Sequence, residues 1–193
     1  MRITPIPPEQ LPADIRFVHD EIANLVGHSQ SQVNMMDETG ALTGPFPAML
    51  HFPVFGIPAL SFIRTLDLHA TLGKRVREVT ILTVAAAYGA RFELYAHQIM
   101  ASVVGLADDL IASLAAGEQP QGLTEEEAIA HVVARVLTGG GWLPSSTYDL
   151  AVALLGKDGV AELFFLIGGY GLLAMILNGF DVPAPDDLVK IVQ

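Results

Sequence analysis

After Glu78 the chain runs VTILTVAAAY, ten residues to Tyr88 without a charge. A helix apolar on every side gains nothing from water and must be surrounded by the rest of its own protein. The reading is therefore a central helix from Lys74 to Tyr88, ended by the turn-forming Gly89, around which other elements pack. Few soluble architectures offer such a place, and a bundle of helices is the simplest of them.

The remaining sequence agrees. Residues 1–12 are rich in proline and read as an extended arm, followed by helical spacing from Asp14 to Val26, with Ile15, Val18, Ile22 and Leu25 in one stripe. From Gly27 to Pro58 prolines at 45, 47, 53 and 58 predict irregular chain, including the apolar loop GPFPAMLHFPVFGIP. Helices are then expected from about Ala59 to Leu72, from Ala90 to Val104 and from Asp108 to Ala116. Thr124 with Glu127 three residues later is a capping box that opens a helix to Thr138. After GGGWLP, Ser145 or Ser146 would cap a further helix leading into the last one. Period-two strands and internal repeats are not evident. The expectation is one compact all-α domain over residues 1–193.

One stretch invites another reading. Leu163 to Leu177 (LFFLIGGYGLLAMIL) carries no charge, but it falls short of the roughly 20 residues that cross a bilayer, and Asn178 and Asp181 close it. A buried helix is expected, with Gly168, Gly169 and Gly171 allowing a neighbour to approach closely.

Charge and composition narrow the function. A formal charge of −11 cannot neutralise phosphates, which argues against nucleic acid, and no basic amphipathic stretch suggests a membrane surface. With no cysteine, thiolate chemistry, disulfides and cysteine metal sites are excluded. No apolar signal core stands at the N-terminus, so a cytoplasmic protein is expected. Apolar residues make up 51% and charged ones 16%, too few charges to cover a monomer comfortably, so part of the surface is expected to lie in an oligomer.

Chemistry concentrates on the helix from Ala90 to Val104. Arg91, Tyr95, Gln98 and Ser102 form a polar stripe, while Phe92, Ala96, Ile99, Met100, Val103 and Val104 fill the opposite arc. Glu93 falls inside the apolar arc and His97 at its edge, four residues on. An ionisable pair facing the interior must be satisfied or used: either as a structural hydrogen bond or as acid–base groups. Glu-x-x-x-His also supplies two metal ligands on one face, though no second ligand cluster accompanies it. His19, His28, His51, His69 and His131 are scattered, His51 alone lying in the apolar loop, and GGGW lacks the lysine and strand of a phosphate loop.

Leu72 to Leu106, LGKRVREVTILTVAAAYGARFELYAHQIMASVVGL, resembles the signature region of the carboxymuconolactone decarboxylase and alkylhydroperoxidase-D (AhpD-like) superfamily. The shared features are Arg77-Glu78, Gly89-Ala90, Phe92-Glu93, His97 and Gly105-Leu106, with GPF from Gly44 and NGFDVP from Asn178 extending the likeness. The peroxidase branch carries Cys-x-x-Cys followed four residues later by histidine; here those positions hold Ala90 and Glu93, so the resemblance favours the cysteine-free, decarboxylase-like branch.

The resemblance implies an AhpD-like helical domain and a cofactor-free decarboxylation of a small unsaturated lactone or related carboxylic acid from aromatic catabolism. His97 would donate the proton, Glu93 would orient or tune it, and Glu78 would be a second buried acid–base group. Arg77 would hold the substrate carboxylate or pair with Glu78; His51 would reach the pocket; Phe46, Met49, Leu50 and Phe52 would supply its apolar wall. The resemblance also implies a homo-oligomer: dimer, trimer or hexamer. A non-catalytic small-molecule-binding protein, or a metal enzyme using Glu93 and His97, remains as an alternative.

Overall fold

The computed structural model describes residues 1–27 and 33–185, the side chains of 25–27 excepted; Leu25 and His28 thus lie outside the described side chains. It is all-α: α1 (Ala13–Gly27), α2 (Phe46–His51), α3 (Pro53–Leu68), α4 (Lys74–Tyr88), α5 (Arg91–Val103), α6 (Asp108–Ala115), α7 (Glu125–Thr138) and α8 (Ser145–Gly179). A single isolated bridge, Met36 to Leu42, is the only extended pairing among the described residues.

The uncharged helix is the hub. α4 packs against α5, α6, α7 and α8, and Val79, Thr80, Ile81, Leu82, Val84 and Ala85 are sealed from solvent. Val76 and Val84 meet α7 and α8 through Val133, Ala134, Val160 and Leu163, while Val79 and Leu82 meet α5 and α6 through Ala101, Leu110 and Leu114. Burying each such side chain contributes about 1.5–3 kcal/mol, so α4 is held by its neighbours rather than by its β-branched-rich sequence. Gly89 ends the helix at φ 60°, the left-handed conformation in which a side chain would be strained.

The capping box forms: the Glu127 amide donates to Thr124 Oγ1, and the Thr124 amide donates to Glu127 Oε2. The expected serine cap of α8 does not; Pro144 holds the N-cap position, and Ser145 is already the first helical residue. α8 also bends at Gly156, whose φ of 72° and ψ of 168° leave the helical region.

The proline-rich stretch differs most from expectation. It forms α2 and the first six of the sixteen residues of α3, which starts six residues earlier than the predicted start at Ala59. Pro47 and Pro53 fall in first turns, where the missing N–H has no intrahelical partner to lose. Pro58 lies inside α3, where its N–H would have met the carbonyl of Val54, a residue open to water. Gly56 lets the two helices touch: a Cβ there would collide with the Met49 backbone.

The arm expected over residues 1–12 is partly ordered as a 3-10 turn, Pro8–Gln10, and buries Ile3 and Leu11. The Arg2 amide donates to the Phe180 carbonyl at 2.7 Å, tying the arm to the end of α8.

The apolar α8 buries one face only. Leu163, Leu166, Ile167, Ala174 and Leu177 point inward, and Gly169 is pressed by Leu66, Ile63 and Phe62 of α3; the close approach expected of the glycines holds there and against Tyr88 at Gly171, whereas Gly168 faces open space. Phe165, Leu172 and Met175 face outward. By length and composition α8 would pass for a membrane span, yet half of its most apolar stretch is buried in the bundle.

Candidate active site

α5 carries Glu93 and His97 inward as its wheel indicates, with 2% and 7% of their surfaces exposed. The rest of the wheel holds less well. Tyr95, placed on the polar stripe, is buried edge-to-face against Phe92 with ring centroids 5.7 Å apart, while Val103 is largely exposed. Near a helix end the neighbouring elements, not the helical period, decide which arc is covered.

The pairing is also different. Glu93 does not bond His97. His97 Nδ1 is 2.8 Å from Oε2 of Glu78, which α4 delivers from the next helix. With Glu78 ionised, Nδ1 carries the hydrogen and donates it, which fixes the tautomer and leaves Nε2 as the second, uncommitted nitrogen. The orienting role expected of Glu93 thus falls to Glu78.

Both oxygens of Glu93 are buried without a hydrogen-bond partner among the described residues. Desolvation pushes its carboxyl well above the usual carboxylate range, because no donor or cation compensates the charged form. Burial thus favours the protonated form of Glu93, a carboxylic acid that can donate a hydrogen bond as a carboxylate cannot.

Tyr170 completes the cluster and escaped the sequence reading. It comes from the uncharged run of α8, and its ring stands edge-on to His97, centroids 5.1 Å apart at 86°. Tyr170 is half-buried; desolvation raises the pKa of its hydroxyl, and Asp67, Glu78 and Glu93 add to the rise. Only its being a tyrosine among leucines and glycines signalled it, since a phenol set in an apolar run needs a reason.

The three expected substrate-binding residues are engaged elsewhere. Arg77 does not pair with Glu78: its guanidinium donates to the Leu66 carbonyl, to Glu162 at 2.8 Å and to Asp67 at 2.7 Å, tying α3 to α4 and α8. His51 Nε2 bonds the Thr4 carbonyl at 2.9 Å, fastening the N-terminal arm. Phe46 packs on Leu11, Ile15, Leu42 and Leu50 beneath α1. Met49 and Phe52 do border a cavity of about 290 Å³, with Phe55, Leu172, Ile176 and Phe180, but neither Glu93 nor His97 is in its wall.

Among the described residues no group of three or more histidine, aspartate or glutamate side chains is disposed to hold a metal ion, so the metal alternative lacks a third ligand there. Of the other histidines, His19 is buried and lies 3.0 Å from both Asp20 and the Gly40 carbonyl, while His131 is buried beside Thr83.

No protein-family model matches the chain. No curated protein matches it in sequence. Solved structures do. An uncharacterised peroxidase-related protein from Ralstonia eutropha JMP134, described as an alkylhydroperoxidase AhpD core, aligns with a TM-score of 0.75 at 16% identity, over 96% of this chain and 93% of its own. A cysteine-to-alanine variant of the debrominase Bmp8, bound to 2,3,4-tribromopyrrole, aligns at TM-score 0.75 and 12% identity, over 100% of this chain and 98% of its own. The unliganded debrominase gives 0.73, also at 12% identity, over 95% and 92%. The likeness in shape spans essentially the whole chain, and the protein has the AhpD-like helical fold.

Proposed function

We propose that the protein is a cofactor-free carboxy-lyase of the carboxymuconolactone decarboxylase type, acting on a small unsaturated lactone or related carboxylic acid. The observation that carries this reading is the unpartnered, buried carboxyl of Glu93 beside a histidine held by Glu78, in a chain with no cysteine.

In such a site the bond from ring carbon to carboxylate breaks, carbon dioxide leaves, and the electron pair delocalises through the ring to the lactone carbonyl. Apolar surroundings disfavour the substrate carboxylate and so favour its loss. Glu93, kept neutral by burial, donates a hydrogen bond to the developing oxyanion, a task for which an ionised carboxylate is useless. His97 delivers the proton to carbon, with the Glu78 carboxylate compensating the imidazolium charge, and is reprotonated from water. One proton is consumed for each carbon dioxide released.

The test is ultraviolet-monitored turnover of 4-carboxymuconolactone with measured carbon dioxide release. Native protein is expected to turn over, and His97→Ala to lose about 10²- to 10⁴-fold while keeping its helical circular dichroism. Absence of turnover by well-folded native protein would discard this substrate, and undiminished turnover in His97→Ala would discard the assigned chemistry.

A further inference from the structure

A second polar cluster lies on another arc of α4, apart from Glu78 and His97. His131 of α7 is 2% exposed, and its Nδ1 lies 2.9 Å from Thr83 Oγ1. The Thr83 hydroxyl already donates its hydrogen to the Val79 carbonyl at 2.6 Å. Its oxygen can then only accept from His131, so Nδ1 carries the ring hydrogen and Nε2 is a bare acceptor. That Nε2 is buried and has no partner among the described residues. Burial, with Arg135 adding to it, lowers the His131 pKa to about 4, so the ring stays neutral around pH 7. An orphaned buried acceptor costs about 1–3 kcal/mol and calls for an explanation.

His131 forms part of the wall of a cavity of about 320 Å³ between α4, α6 and α7. Its floor is small and apolar, with Ala86, Ala87, Leu114 and Gly117. Thr138, also in the wall, donates its hydroxyl hydrogen to the Ala134 carbonyl and so offers only an acceptor. Arg135 stands at the wall as well, exposed, and touches Gln119 at 3.4 Å but pairs with no carboxylate among the described residues. A guanidinium at the cavity wall without an acidic partner among the described residues can meet an anion there.

We propose that this cavity is a binding site for a small hydroxycarboxylic acid, its hydroxyl donating to the interior acceptors and its carboxylate meeting Arg135. Residues four apart on α7 place His131 and Arg135 on one face, about 5–6 Å apart at their Cβ atoms, a span that suits a hydroxyl and a carboxylate on one small ring. The site is independent of the lyase reading and shares none of its residues.

The experiment is a titration with 3-hydroxybenzoate and, lacking the hydroxyl, benzoate, followed by calorimetry and by the imidazole nitrogen resonances of His131 and His97. 3-Hydroxybenzoate is expected to bind about tenfold more tightly than benzoate, since the analogue leaves the acceptor unpaired. It should move the His131 Nε2 resonance and leave those of His97 in place. Arg135→Gln, a change at an exposed residue, is expected to weaken both ligands about five- to tenfold. The proposal is overturned if neither compound binds saturably up to about 10 mM. It is equally overturned if Arg135→Gln binds undiminished, if the two compounds bind alike, or if His97 responds in place of His131.

Discussion

Replacing Glu93 by glutamine separates the shape of the side chain from its proton. In the native chain the folded-state pKa of Glu93 is raised by desolvation, while in the unfolded chain it is near 4.5. Below that value both states hold the proton and stability does not depend on it. Above it the unfolded state releases the proton and the folded state keeps it, so folding loses ground as pH rises until the folded group ionises too. Across that window the slope for one proton is about −1.4 kcal/mol per pH unit. Glu93→Gln cannot release a proton, so the stability of the variant relative to native is expected to climb by about 1.4 kcal/mol for each pH unit above about 4.5. For a chain this size that amounts to roughly 3–5 °C in melting temperature per pH unit. Urea unfolding of both proteins from pH 4 to 8 measures it, other titrations cancelling in the difference. Two parallel stability curves would mean that Glu93 ionises as an exposed carboxyl does, and the neutral-acid role would fall with them.

Glu78→Gln keeps a hydrogen bond to His97 but removes its charge and relaxes its tautomer; turnover of an accepted substrate is expected to drop about ten- to a hundredfold with little change in melting temperature. An unchanged rate would make the pair structural only. Gly56→Ala forces a methyl group against the Met49 backbone and is expected to cost about 3 kcal/mol or more in urea unfolding, where wider spacing of α2 and α3 would cost nothing. The outward apolar side chains of α3 and α8, including Phe55, Phe165, Leu172 and Met175, are proposed to be covered in an oligomer. Light scattering should give at least a dimer mass, reduced by Phe55→Asp, whereas a monomeric native protein refutes the proposal.

What the sequence disclosed and what it withheld follow from the range of the interactions. The burial of α4, its glycine stop and the capping box of α7 are local features, each written in adjacent residues. The inward turn of Glu93 and His97 is likewise a property of one helix. Helical spacing could not disclose the partner of His97, because Glu78 belongs to another helix 19 residues away and the fold alone brings them together. Arg77 illustrates the same limit in reverse: its acidic neighbour in sequence is not its partner, and Asp67 and Glu162 arrive from α3 and α8. The helices of the proline-rich stretch were hidden because prolines that open a helix are written with the same letter as prolines that break one.

The enclosure of α4 also fixes how its backbone meets solvent. Residues 79–85, covered on every side, cannot swing outward without parting the bundle, so their amides exchange with water only when the whole molecule opens. Deuterium uptake at residues 79–85 therefore provides a clock for global unfolding, read at the very helix on which Glu78 and Thr83 are mounted.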